Sequence, residues 1–323
     1  MFNNIQSRLD EGVAPVDIFD YVYRYYNGVA QVEYNGKHNF INTKGILLSP
    51  NLWFDEIINT YNGLTIVVVN KKYNIIDTHA NVRLPQWFEW IIYFDENFWG
   101  VKLNGKYNFI NNVGQILSEQ WVDEFGSYEG GLVRVKLNNR FNLVNTKGEI
   151  ICNQWFDAVT PSQYCFPIKL NGKWNFINAN GEILFPNQWF DRTYSFYHEF
   201  GTVLLNGKCN FVNKFGNIIS PNLWFDDINN FEEGFSVVVV DNKYNFINAV
   251  GRLLSKQWYD NASYFENGYG GVSLNNKWNF IDANGKLLSN LWFDELYYFE
   301  DGFAKVKLNG QFGKIDKYGE LHT

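Results

Sequence analysis

Apolar and polar positions along this chain alternate over short runs instead of recurring every three or four residues. Residues 132–137 (LVRVKL) set two charges among apolar side chains at alternate positions, the period of a half-buried strand. Asn138-Asn139 then supplies a tight turn, where related stretches have Asn104-Gly105 or Asn171-Gly172. Residues 140–145 (RFNLVN) return as a second strand, and Thr146-Lys147-Gly148 makes a second turn whose glycine is free to take positive φ. A third short strand is expected at 149–152 (EIIC), and Gln154-Trp155-Phe156-Asp157 leads into a joining segment. That segment reads AVTPSQYC here and EIINTYN or DINNFEEG elsewhere, and offers a short fourth strand.

The pattern recurs. Trp53, Trp87, Trp121, Trp155, Trp189, Trp224, Trp258 and Trp292 are 34 or 35 residues apart. Acids follow them in phase at Asp55, Glu89, Asp123, Asp157, Asp191, Asp226, Asp260 and Asp294. Cations stand just after the first turn at Lys37, Lys72, Lys106, Arg140, Lys173, Lys208, Lys243 and Lys277. Units start near residues 28, 63, 98, 131, 166, 201, 235, 270 and 303, within a repeat domain over 16–323. Strands this short bury a face only by stacking on neighbours. Residues from about 16 to 27 carry the tail of a unit and 303–323 the head of one, so the two ends together make a ninth copy. Complementary ends suit an all-β, propeller-like closed ring of nine roughly three-stranded units, and an open β-solenoid or superhelix of short hairpins accounts for them equally. Residues 1–15 lie outside the repeat, where IQSRLDEG is expected as a short helix covering one end.

Composition narrows the function classes. Apolar residues make up 46% and aromatics 19%, enough for a continuous core of flat side chains. A net charge of −7 opposes sequence-independent binding to phosphate backbones, so no nucleic-acid partner is expected. Cys152, Cys165 and Cys209 form no CxxC pair, which fits a reducing compartment. No leader-like apolar run opens the chain and none is long enough for a membrane helix, so a cytoplasmic location without a membrane partner is expected.

The repeat resembles the WG (KWG) repeat family, widespread in bacteria. The resemblance spans residues 16–323 and is clearest in Asn309-Gly310-Gln311-Phe312-Gly313-Lys314-Ile315-Asp316-Lys317-Tyr318-Gly319 and in Phe299-Glu300-Asp301-Gly302-Phe303-Ala304. One departure is systematic. The family glycine after the aromatic is kept at Gly313 but replaced by Asn39, Asn74, Asn108, Asn142, Asn175, Asn210, Asn245 and Asn279. Glycine and asparagine both tolerate left-handed backbone, so a bulge filled in two ways is one reading; an asparagine ladder between neighbouring units is another. The resemblance implies repeat-mediated binding or scaffolding, and carries over no enzyme activity and no functional residues.

Each repeated series has a structural reading. The tryptophans are expected as inter-unit core, the acids as acceptors for turn N–H groups, and the cations as solvating residues at exposed hairpins. One acid per unit does not make a calcium loop. His38, His79, His198 and His322 fall at four different phases and in no ligand spacing, so no catalytic residue, cofactor or metal is expected. Specificity is expected where the units differ. The joining segments carry extra aromatics, giving Tyr21, Tyr23, Tyr25, Trp90, Trp99, Tyr194, Tyr197, Tyr297 and Tyr298 as candidate interface residues. The function read from this is a non-catalytic repeat protein acting as a protein-binding scaffold or structural component, with a protein partner. A glycan-binding module and a structural or accessory protein in the virion of a bacterial virus are the alternatives.

Overall fold

The computed structural model describes residues 5–10, 15–197 and 199–322. Among them lie nine small antiparallel sheets in chain order, eight of three strands and the last of four. Among the described residues, helix is confined to Ile5–Asp10 and a single 3-10 turn at Pro15–Asp17. The chain divides into two compact units, Met1–Asp157 and Ala158–Thr323. The first holds four of the sheets and the second five.

The fourth sheet shows how the sequence makes one. Its strands are Glu124–Glu129, Leu132–Leu137 and Arg140–Asn145. The hairpin falls where the alternation predicts it, with Leu132 opposite Asn145 and Leu137 opposite Arg140. Asn138 and Asn139 have φ of 50° and 61°, the pair of left-handed residues that a two-residue hairpin turn requires.

The other two expected strands exchange roles. EIIC makes only isolated bridges, Val144 to Ile150, with Phe141 to Phe156 beyond it. Between those bridges the backbone loops away from the sheet edge. The joining segment, by contrast, is a full strand in most units and pairs forward with the next hairpin, as Glu124 with Lys136 and Phe125 with Val135. It shortens to Ala158–Val159 where Pro161, which has no N–H to donate, follows.

Each sheet therefore begins one strand earlier than the sequence unit, and this corrects the split ninth copy. Tyr21–Val22 pairs with Glu33 and Val32 in the first sheet, and Phe303–Leu308 pairs with Glu295–Glu300 in the last. The two end fragments sit in separate sheets, each completed by its own chain neighbours.

The core lies between consecutive sheets. Between the seventh and eighth, Val237, Phe246, Phe265, Val272 and Ile281 bury together with Tyr259. The expected N-terminal helix forms at Ile5–Asp10 and covers the first sheet, with Ile5 buried among Ile18, Phe19, Ala30 and Val32. Residues 11–14 lie outside the described residues.

Candidate functional site

What the repeat demands of each residue comes first, because only what it leaves over is available for recognition. Trp53 is buried, and Trp87, Trp121, Trp155, Trp189, Trp224, Trp258 and Trp292 are half-buried. Trp155, Trp224 and Trp292 pack on the clusters between sheets. The residue after each tryptophan goes deeper still. Phe54, Phe88, Phe156, Phe190, Phe225 and Phe293 are among the largest fully buried side chains and bridge to the third strand of the same sheet.

The asparagine series explains the looped-out edge. All eight sit inside third strands, not at a left-handed bulge, and their amides are spent within the unit instead of linking neighbouring units. Asn245 Nδ2 donates to the carbonyls of Ser255 (2.8 Å) and Gln257 (3.1 Å), while its Oδ1 accepts the Phe246 N–H at 2.8 Å. One side chain thus satisfies backbone groups that the loop would otherwise leave without partners in a buried place. In seven of the eight a second carbonyl is held as well and it precedes the tryptophan, as Leu52, Gln154, Gln188 and Leu291 show, so the asparagine also fixes where the ring enters. Gly313 breaks the series for a steric reason. In the last sheet Leu321–His322 pairs directly with Ile315 and Lys314, and a Cβ at 313 would stand 2.9 Å from the His322 carbonyl oxygen.

Acids and cations, read separately from sequence, form one device. Lys243 Nζ donates to Asp260 Oδ1 at 2.6 Å, and Asp260 Oδ2 accepts the Asn275 N–H of the next hairpin turn at 2.7 Å. The same cation–acid pairing runs from Lys37–Asp55 to Lys277–Asp294. Asp55, Glu89, Asp123, Asp191, Asp226 and Asp294 likewise accept a turn N–H of the next hairpin, so these carboxylates clasp one sheet to the turn of its successor. The lysine hydrogen bond, helped by the turn N–H, holds the carboxyls of Asp123, Asp191, Asp226, Asp260 and Asp294 below their ordinary range. The cations are therefore engaged in the frame and not simply solvating the hairpins.

The second-turn glycines serve two needs. Gly148 has φ of +80°, and a Cβ there would lie 2.6 Å from the carbonyl oxygen of Leu117 in the preceding repeat. Closely stacked repeats leave no room for a side chain.

Left over are the joining segments, which are largely exposed in most of the sheets. Tyr21, Tyr23, Tyr25, Tyr194, Tyr197, Tyr297 and Tyr298 are all exposed, Tyr298 at 59%. Trp90 is half-buried with its ring 5.7 Å from Phe125. Trp99 corrects the sequence reading: it is 0% exposed, stacked edge-on to Tyr93 and Tyr61, with Nε1 donating to Asn112 Oδ1 at 2.7 Å. It opens a second strand, not a joining strand, and so faces the core.

Grooves run between consecutive sheets where these strands meet the preceding hairpin. One of ≈ 380 Å³ is lined by Trp278, Phe280, Glu295, Tyr297 and Tyr298. Another of ≈ 300 Å³ is lined by Tyr194, Tyr197, Phe200, Cys209 and Phe231. A third, of ≈ 470 Å³, lies between Trp90, Tyr107 and Phe125. Tyr23 and Tyr26 open a fourth of ≈ 620 Å³. Sequence reasoning missed a second exposed row, Val113, Phe215, Val250 and Tyr318. Each stands immediately before a second-turn glycine, where a polar residue is the norm, and that position was the available signal.

Burial pushes the Cys165 thiol up to about 11 and raises Cys209 as well, leaving little thiolate at neutral pH. His38 faces Gln31, while His322 pairs with Asp316 at 2.9 Å. His198 lies outside the described residues. Asp316, Glu320 and His322 bring one ligand atom each within 4.8 Å of one another. Asp316 Oδ1 is already occupied by the Tyr318 and Glu320 N–H groups, both at 2.9 Å.

Against known proteins, residues 13–37, 211–244, 246–278 and 280–312 match a family described as WG containing repeat. No curated protein matches the chain. Among solved structures, a eukaryotic initiation factor is similar at 12% identity and a TM-score of 0.33, over 88% of this chain and 92% of that one. AztD from Citrobacter koseri is similar at 8% identity and a TM-score of 0.31, over 94% and 92%. Hsv2p of Kluyveromyces lactis is similar at 8% identity and a TM-score of 0.27, over 83% and 97%.

Proposed function

This chain belongs to the WG-repeat family, and from that premise we propose that it is a non-catalytic scaffold that binds a protein partner along its joining strands. The observation that carries the reading is a division of labour. Residues common to the units are consumed by the frame, as the Asn245 and Asp260 contacts show, whereas residues that vary between units line the grooves. Exposed tyrosines present large, rigid contact area at low entropic cost, the composition that interfaces favour.

The test is affinity capture with the intact chain, followed by crosslinking. A stoichiometric protein partner lost in Y194A/Y197A or Y297A/Y298A supports the proposal. Binding to a glycan array that depends on the same tyrosines would replace it with the carbohydrate reading. Co-purification with capsid or tail proteins would place the scaffold in a virion.

A further inference from the structure

Three consecutive interfaces in the second compact unit are built as the same socket. An aromatic from a joining segment inserts between two side chains of the preceding sheet. Phe231 lies 4.4 Å from Phe200 and 4.6 Å from Phe211, centroid to centroid. Phe265 stands 4.3 Å from Phe235 and 4.9 Å from Phe246. Phe299 stands 4.6 Å from Tyr269 and 4.9 Å from Phe280. In all three the inserted ring is followed by a glutamate, Glu232, Glu266 or Glu300.

The last sheet carries the next socket in altered form. Phe303 keeps the first wall, with the His322 ring edge-on to it at 5.6 Å and 42% of its surface still exposed, while the second wall is Lys314, also exposed. Lys305 stands beside it where earlier sheets have Val237 or Gly271, both buried. Its ammonium lies 4.1 Å from the Phe312 ring centroid and 5.2 Å from that of Tyr297, so an aromatic shelf already holds it in place. The clasp cation has gone as well, since Gln311 stands where Lys277 stands one repeat earlier. Against that one loss the face gains two cations, Lys305 and Lys314, in a chain whose net charge is −7. A face merely capped against solvent would be polar throughout, yet this one keeps Phe303 and Phe312 exposed at 42% and 52%.

We propose that this face is a docking site for an extended segment of a partner protein carrying an aromatic residue followed by glutamates. The aromatic stacks on Phe303 as Phe299 stacks on Tyr269. The carboxylates meet Lys314 and Lys305, a pairing the apolar sockets cannot make. The site shares Tyr297 with one joining-strand groove but does not need that groove to bind anything.

The test is fluorescence anisotropy with the full chain and a labelled peptide alternating tyrosine or phenylalanine with glutamate. Binding that weakens at least tenfold in K305E/K314E, but not in the remote control K147E/K256E, supports the site, as does loss of binding when glutamine replaces glutamate in the peptide. Unaltered melting curves for both variants exclude misfolding as the cause. Binding insensitive to K305E/K314E would overturn the proposal, as would no binding at millimolar peptide. So would tighter binding of a DNA duplex by the same lysines, or sedimentation showing that a second copy occupies the face.

Discussion

The eighth and ninth sheets share a hairpin register but answer two questions in opposite ways. In the eighth, Asn279 holds the carbonyls of Ser289 and Leu291, and the next residue, Phe280, packs on Phe299 of the following sheet. In the ninth, Gly313 lets Leu321–His322 pair directly, and the next residue is Lys314. Two adjacent positions thus report two separate things. The first records whether the outer segment loops out or pairs; the second records whether another sheet packs on that face.

The largest expected effect lies at the second position. Phe280→Ala removes a buried ring between two sheets and should cost about 3–5 kcal/mol by chemical denaturation. Lys314→Ala, at the matching exposed position, should stay within about 0.5 kcal/mol. Equal costs would mean that the two faces are packed alike. Next comes the asparagine. Asn279→Ala strands the Ser289 and Leu291 carbonyls and the Phe280 N–H, and a loss of about 2–3 kcal/mol follows from what buried unsatisfied groups cost. Gly313→Asn should fray only Leu321–His322, visible as fast amide exchange there with the eighth sheet still protected.

Much of this was legible in the chain because a repeat states each demand many times. The hairpin at 132–145 followed from alternation and a turn dipeptide, both local signals. The roles of EIIC and the joining segment were not legible. Both are short and apolar in part, and which one pairs depends on an asparagine side chain reaching ten residues along the chain. Nor did the sequence show that Lys243 and Asp260, 17 residues apart, meet in one clasp, since each was plausible alone at a solvated surface. Trp99 misled for a similar reason. Its neighbourhood is crowded with aromatics, but its place at the start of a second strand puts it inside.

The clasps set a smaller, distributed effect that pH exposes. Asp123, Asp191, Asp226, Asp260 and Asp294 have carboxyl pKa values lowered by folding, chiefly through their lysine hydrogen bonds. Their contribution is therefore fully present above the unfolded carboxylate pKa of about 4, and is lost as pH falls through the lower folded values. The melting temperature should be flat from neutral pH down to about 5 and then drop. Asp260→Asn keeps an oxygen for the Asn275 N–H but loses the charge pair, and should make that acid limb shallower. An unchanged slope would mean that the pairs are fully screened by solvent.

The smallest effect on stability belongs to the residues on which recognition is proposed to rest. Tyr298 is 59% exposed and lines the groove opposite Trp278. Tyr298→Ala removes surface area without opening a cavity, so its effect on unfolding should stay within about 0.5 kcal/mol. Capture of the partner should nevertheless fall sharply, because an interface aromatic typically contributes about 2 kcal/mol or more when its pocket is dry. Phe280→Ala, one side chain deeper in the same groove, should impair folding and capture together. If Tyr298→Ala destabilises the sheet as Phe280→Ala does, the joining-strand tyrosines belong to the frame, and the division between repeated and variable residues fails.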